Sequence, residues 1–328
     1  MKVGVIGLAL SHPYTFAKGF AKRDAHVTAA WDDDAQKARE FVAEFGGEAV
    51  GTPEEVAQSD VDAVIVTSRA VDHAAHARLA LEAGTPVFVT KPLSLDADDA
   101  ATLVALSERR GTVLMSCSWI RYEPAYRALT TRLRDEALGE VVYARAVACH
   151  KIRSYIDTND WQDDPALGGG TLINMGIHAV EPLVALMAAV GRTPEWVRCT
   201  AARTIYQDTR SEDIASFQVG FSGDLVTAVE TICSASANGY WSEVFGTKES
   251  YVAEVPASLR ERRAGPVAVD ASPSGRDHML DLFFESVKTG KSPVPLAETL
   301  AITEVLTAGR RSATNGGERI SLTHSRNA

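Results

Sequence analysis

Five short apolar runs, at 2–7, 26–31, 62–67, 86–90 and 113–117, punctuate the first 120 residues. Amphipathic stretches at 13–22, 34–45, 73–83 and 96–110 lie between them. Strands separated by helices of this length cannot close as hairpins. They need crossovers, and therefore a parallel sheet with helices on its faces. Local signals agree with that reading. Ala38, Phe41, Val42 and Phe45 share one helical face. Thr52 followed by Pro53 reads as an N-cap and first helical residue, and Gly84 as a helix stop. The expected class is α/β, beginning with a doubly wound parallel sheet.

The rhythm changes near residue 120. The runs at 140–149, 196–205, 214–221 and 225–233 are strand-like, with turn signals rather than long helices between them. They predict a second α/β unit with a mainly antiparallel, open sheet and a helix on one face after His178. The division expected is 1–120 and 121–328, with closing helices at 278–289 and 296–314 packing back on the first domain. The polar stretch 260–274 reads as a surface loop. A chain of 328 residues with 45% hydrophobic and 23% charged residues is ordinary for a globular protein. Its formal charge of −10 disfavours nucleic acid or an anionic membrane as partner. Cys117, Cys149, Cys199 and Cys233 are widely spaced and form no CxxC pair. That suits a reducing cytoplasm and supplies no zinc or disulfide framework. The opening MKVGVI reads as a strand from the start, so no signal peptide is expected, and no apolar run is long enough to span a bilayer.

Three places carry chemistry. Gly7 ends the first strand and opens a helix, where backbone N–H groups hold a dinucleotide's pyrophosphate. The turn Gly7-Leu8-Ala9-Leu10-Ser11-His12 keeps only the first glycine of the usual G-x-G-x-x-G, with Ala9 small and His12 in the third place. Asp32 closes the second strand about 25 residues later, the place for an acid that binds the adenosine ribose. An acid there repels a 2′-phosphate, so NAD is favoured over NADP. Helix capping by Asp34 is compatible with that role for Asp32. At the end of the fourth strand, Lys91-Pro92 sets a lysine at the edge where open parallel sheets bind ligands, unless it is simply solvated. Finally GGGTLINMGIH, at 168–178, places Asn174 and His178 one helical turn apart. His178 either moves a proton near neutral pH or is a buried, satisfied ring.

The strand-Lys91-Pro92 segment, Trp161 and the glycine-rich run to His178 together resemble the glucose-fructose oxidoreductase/inositol dehydrogenase (Gfo/Idh/MocA) family. The likeness runs from Val3 through LALEAGTPVFVTKPLSL and WQDDPALGGGTLINMGIHAVEPL to SPVPLAETLAITEVLTAGRRSA. It implies a Rossmann domain, and an α/β domain whose open sheet forms a dimer or tetramer contact. It also implies a nicotinamide cofactor and a small neutral sugar or polyol as substrate. By this resemblance Lys91 binds the reacting hydroxyl and helps move its proton, His178 is the catalytic histidine, and Asn174 stands at the position usually held by aspartate. Arg121 and His73 match an arginine after the fifth strand and a histidine opening the fourth helix. Gly7, Leu8, Ala9, Ser11, His12, Asp32, Ser68, Arg69, His73, Lys91 and Pro92 are the expected cofactor set; no metal is expected.

Trp119, Tyr155 and Trp161 are candidate platforms for a sugar ring, with core packing as the alternative. Arg153 is a candidate for an anionic substrate group or a solvated loop residue. The chain departs from the family at Thr90, Asn174, Trp119, Ser68-Arg69 and the Gly7 turn. Losing the carboxylates at 90 and 174 predicts a less basic Lys91 and His178. The expected function is NAD-dependent hydride transfer at a sugar, cyclitol or glycoside hydroxyl. The alternatives are a non-catalytic sensor or regulator on the same fold, and an enzyme that retains NAD for epimerisation or elimination.

Overall fold

The computed structural model describes residues 1–157, 159–233, 236 and 238–323, and at Ser154 and Tyr155 the backbone alone. The chain divides into two compact units, Met1–Cys117 with Met279–Thr299, and Ser118–His278 with Leu300–Ala328.

The first unit runs β1 (Lys2–Ile6), α1 (His12–Phe20), β2 (His26–Trp31), α2 (Ala35–Phe45), β3 (Glu48–Ala49), α3 (Pro53–Gln58), β4 (Ala63–Val66), α4 (His73–Glu82), β5 (Val87–Val89), α5 (Ala97–Arg110) and β6 (Leu114–Ser116). Its six strands pair in parallel in the order β3-β2-β1-β4-β5-β6. The order reverses between β1 and β4, which is where doubly wound sheets open a ligand crevice. The strands are short and apolar because both faces are covered; β4 (AVIV) and β5 (VFV) are wholly buried. Helix ends follow the expected chemistry. The Asp34 carboxylate caps α2 by accepting from the N–H groups of Gln36 and Lys37, and Thr52 caps α3 through Glu55 N–H. Asp96 caps α5, which ends at Gly111 in the left-handed region, φ 63°.

The second unit contains α6 (Pro124–Arg134), β7 (Val141–Cys149), α7 (Arg153–Ile156), α8 (Ile177–Ala188), β8 (Pro194–Ala202), β9 (Ile214–Phe221), β10 (Leu225–Ile232), β11 (Gly239–Gly246), β12 (Ser250–Glu254), β13 (Ser258–Glu261) and β14 (Gly265–Val267). Then come α9 (Gly275–Thr289), shared with the first unit, α10 (Leu296–Thr314) and β15 (Ile320–Ser321). Nine strands form one sheet, β14-β13-β12-β11-β7-β10-β9-β8-β15. Every pairing is antiparallel except β7 with β10. α8 packs on β7, β10 and β11. Its Val180, Leu183, Val184 and Met187 are buried, each contributing about 1.5–3 kcal/mol of apolar burial. Among the described residues no single helix is long and apolar enough to cross a membrane.

Two expectations are corrected. The stretch 260–274 is not simply a loop, because β13 and β14 extend the sheet through it. The signal was a short alternation, with Leu259 and Glu261 buried and Ser258 and Arg260 exposed. Glu261 hides it by acting as a turn clamp: its carboxylate accepts from the N–H groups of Arg263 and Ala264. The strand expected to reach residue 205 ends at Ala202. Beyond it the N–H groups of Thr204, Ile205 and Tyr206 turn inward to the Asp213 carboxylate, at 2.7–2.9 Å.

Candidate active site

In the first unit the chemistry gathers at the carboxyl ends of β1, β2, β4 and β5. Gly7 adopts φ 83°, a conformation that favours glycine, and a Cβ there would overlap the backbone of Ser68. Gly7 N–H donates to Trp31 O (2.7 Å), Ala9 N–H to Thr67 O (3.2 Å), and the Thr67 hydroxyl to Gly7 O. Asp32 is buried; its Oδ2 accepts from Leu8 N–H at 2.5 Å and its Oδ1 from Asp34 N–H at 3.0 Å. Burial, reinforced by neighbouring Asp33, holds the Asp32 carboxyl above its ordinary range. Ser11 heads α1 without a side-chain cap, and Pro13 sits in its first turn. A left-handed glycine leading to an uncapped helix N-terminus is the donor set that a dinucleotide diphosphate uses, so these residues fit the cofactor. Ala9 and His12 stand where the usual motif has its other glycines, and both are half-buried.

The loop after β4 supports this turn. Ser68 Oγ lies 2.9 Å from His76 Nδ1. Arg69 pairs with Asp72 at 3.0 Å and with Asp33 at 3.4 Å, linking the loops after β4 and β2. His73 is buried, with Nδ1 2.6 Å from Pro92 O and Nε2 2.9 Å from Ser68 O. Burial pushes its pKa down to about 4, so the ring is neutral at pH 7. A neutral ring has one N–H, and the shorter contact assigns it to Pro92. His73 thus donates to the loop after β5, and its Nε2 stands 2.9 Å from Ser68 O and 3.4 Å from the Thr90 hydroxyl. Thr90 is buried, and its hydroxyl donates to Val66 O at 3.0 Å. Lys91, half-buried, follows at the end of β5 and joins Pro92 through a cis peptide.

In the second unit the glycine-rich run forms not one α-helix but a π-turn, Thr171–Met175, and then α8. The segments Pro165–Met175 and Ile177–Ala188 meet at 54°. Gly176 is the hinge, since a Cβ there would overlap Leu172 O. Asn174 and His178 therefore fall on two successive helical segments rather than on one α-helix. Both remain buried. The Asn174 amide donates to Gln162 Oε1 at 3.2 Å. His178 Nδ1 lies 2.9 Å from Ser118 Oγ, and its ring stacks obliquely on Tyr240 at 5.4 Å. Pro182, one turn along, lacks the N–H that would close the helical bond to the His178 carbonyl.

Glu181 is fully buried. Its Oε2 accepts from Ser118 N–H at 2.5 Å, and its Oε1 lies 3.6 Å from Arg121. Trp119 meets Tyr240 edge-on at 5.9 Å, and the Arg276 guanidinium lies 4.9 Å above its ring. The π-turn is clamped from the β8–β9 connection: Glu212 Oε1 accepts from Leu172 N–H at 2.6 Å. Burial lifts the Glu212 carboxyl above its usual range. Trp161, half-buried, lies on a short turn, Asp160–Asp163. Arg153 is engaged by Asp157 (3.0 Å) and Asp208 (2.8 Å), so its charge already has carboxylate partners. The Tyr155 side chain lies outside the described residues.

Sequence reasoning missed Ser118, Gln162, Glu181, Glu212 and Tyr240. Only Glu181 left a trace, as a lone acid inside the apolar run IHAVEPLVALM. Among the described residues no group of three or more His, Cys, Asp or Glu could hold a metal ion.

Residues 1–117 match the family described as an oxidoreductase family with an NAD-binding Rossmann fold, and residues 126–252 match the GFO/IDH/MocA C-terminal domain. The trans-1,2-dihydrobenzene-1,2-diol dehydrogenase of Oryctolagus cuniculus is 27% identical over 329 residues, covering 93% of this chain and 96% of its own. GenD2 from gentamicin A biosynthesis, solved with NAD, superposes with a TM-score of 0.85 at 22% identity, covering 98% of this chain and 96% of its own. Levoglucosan dehydrogenase, solved with NADH and levoglucosan, gives 0.84 at 17% identity over 99% of each chain. At such identities the structural likeness speaks for the fold. With both domain families matched in order, and the Rossmann strand order and glycine turn in place, the chain belongs to the Gfo/Idh/MocA oxidoreductases, and its first unit is an NAD-binding Rossmann domain.

Proposed function

We propose that this enzyme transfers a hydride between NAD and a secondary hydroxyl of a neutral sugar, cyclitol or glycoside. NAD supplies the hydride acceptor at its nicotinamide ring. The single observation that carries the reading is Lys91, at the carboxyl end of β5 in the unit that holds the Gly7 turn and Asp32. The Gly7 turn and the N-terminus of α1 hold the diphosphate, and Asp32 binds the adenosine ribose while repelling a 2′-phosphate. Lys91 and His178 are the groups we assign to the substrate hydroxyl and its proton, with Asn174 orienting a neighbouring hydroxyl. A neutral substrate is supported by Arg153 being occupied by carboxylates and by an amide rather than an acid at position 174. Among structural neighbours, one was solved with levoglucosan, an uncharged anhydrosugar.

The outward face of the second unit's sheet carries Tyr143, Val226 and Phe245, and we propose it as the contact between subunits of a dimer or tetramer. Light scattering tests that.

The decisive experiment for function is calorimetry with NAD+ and NADP+, followed by a nicotinamide-absorbance screen of levoglucosan, myo-inositol and glucose. NAD+ binding with weaker NADP+ binding, and turnover of a polyhydroxylated probe, is the expected outcome. Tight NAD+ binding without net turnover would favour the retained-cofactor reading. Binding of a sugar with no NAD+ binding, and none carried through purification, would leave the sensor.

A further inference from the structure

Ser118 is almost completely buried, and its contacts constrain one proton. Its N–H donates to Glu181 Oε2 at 2.5 Å. Its Oγ accepts from Ile120 N–H at 3.4 Å and lies 2.9 Å from His178 Nδ1. A serine hydroxyl has one proton and two lone pairs. One lone pair is met by Ile120. Among the described residues, His178 Nδ1 is the acceptor available to the hydroxyl proton. If Nδ1 carried the ring proton instead, two donors would face each other across 2.9 Å or the hydroxyl proton would turn into a buried site without an acceptor, which is costly.

We infer that Ser118 Oγ–H donates to His178 Nδ1 and so fixes the neutral ring as its Nε2–H tautomer. Ser118 is a positioning residue in this scheme. Glu181 is its anchor, holding the backbone of Ser118 from one turn along the same helix as His178, while Arg121 balances the Glu181 charge. A carboxylate in the place of Ser118 would do the opposite. It would accept from Nδ1–H and present Nε2 as a lone pair, the arrangement of a general base.

The consequence is a division of labour between the two groups assigned above, and it rests on that assignment. Neutral His178 meets a substrate oxygen as a hydrogen-bond donor. It stabilises negative charge growing on that oxygen, as a neutral imidazole does when it serves as an electrophile. It does not take the hydroxyl proton at Nε2, because that nitrogen already bears one. The proton then falls to the Lys91 amine.

The test is ring-nitrogen NMR on the full-length, NAD+-loaded, 15N-labelled protein at a pH where His178 is neutral. The His178 signals are identified by their loss in His178→Gln. Expected is an unprotonated, pyridine-type Nδ1 and a protonated, pyrrole-type Nε2. The reverse pattern in the wild type would overturn the inference outright. In Ser118→Ala the two tautomers should mix, and in Ser118→Thr, which keeps a hydroxyl, the wild-type pattern should return. An unchanged tautomer in Ser118→Ala, with NAD+ binding intact as a check on folding, would remove Ser118 from the role. The spectrum is independent of turnover. A chain that shows Nε2–H yet oxidises no polyol would sink the proposed function and leave the tautomer standing.

Discussion

The two units organise their functional groups by different means. In the first, what is held is backbone: the N–H groups of Gly7 and Ala9 meet the Trp31 and Thr67 carbonyls, and Leu8 N–H and Gly7 O meet the Asp32 carboxylate and the Thr67 hydroxyl, at strand ends that the sheet order has already placed together. In the second, side chains position side chains. His178, Ser118, Glu181 and Arg121 form a chain of buried polar contacts drawn from α8 and the short turn Trp119–Tyr122 that follows Ser118. Backbone-built sites tolerate changes of residue type so long as φ and volume permit, and in this turn Gly7, at φ 83° against Ser68, is where they do not. Side-chain networks are all-or-none, because each removed partner strands another in a dry interior.

The largest expected effect lies in the first unit. Lys91→Ala should lower kcat/KM by about 10²- to 10⁴-fold, the usual contribution of a proton-handling group. A loss below tenfold in steady-state NAD+ reduction would remove Lys91 from the chemistry. The all-or-none claim is attacked next by Glu181→Leu. Removing the buried carboxylate that meets Arg121 and Ser118 N–H should cost about 3–5 kcal/mol in urea unfolding, with Glu181→Gln much milder because its amide oxygen still accepts. Equal losses in the two variants would mean that packing, not the network, matters.

On the first side, His73 supplies a pH signature. Its pKa near 4 lies below that of an ordinary histidine, so as pH falls the unfolded chain takes the proton first. The contribution is complete above about pH 6.5 and is lost between 6.5 and 4, on the order of 3 kcal/mol. Subtracting the stability curve of His73→Gln from the wild-type curve should isolate that slope, and a flat difference would refute the buried neutral ring. The smallest effect is expected from Asp32→Asn, which keeps an acceptor for Leu8 N–H. Its NAD+/NADP+ preference should fall by roughly tenfold, about 1.4 kcal/mol in the ratio of the two Kd values.

The same contrast explains what could be read from the chain before folding it. Local signals named β1, β2, β4 and β5 and the caps Asp34 and Thr52, because period and capping act over a few residues. Gly7, Asp32 and Lys91 followed, since strand ends place them. Ser118 and Tyr240 were invisible: one lies 60 positions from His178, the other on β11, which pairs on one side with its neighbour β12 but on the other with the distant β7. Only packing brings them to the imidazole. The π-turn was misread for a subtler reason. The spacing of Asn174 and His178 is helical, but a glycine between them allows a bend that no periodicity records. The β13–β14 hairpin was lost because strands of four and three residues leave too short an alternation to stand out from polar turns.

The bend at Gly176 has an evolutionary consequence. Asn174 is held by Gln162 and His178 by Ser118, so on the proposed reading the residue at 174 can change with the ligand while the imidazole keeps its own partner. A family that keeps its histidine and varies the residue four places earlier would be diversifying through a mechanical joint, and directed evolution of new substrate preference in this chain should start at 174 and 162 and leave 176 alone.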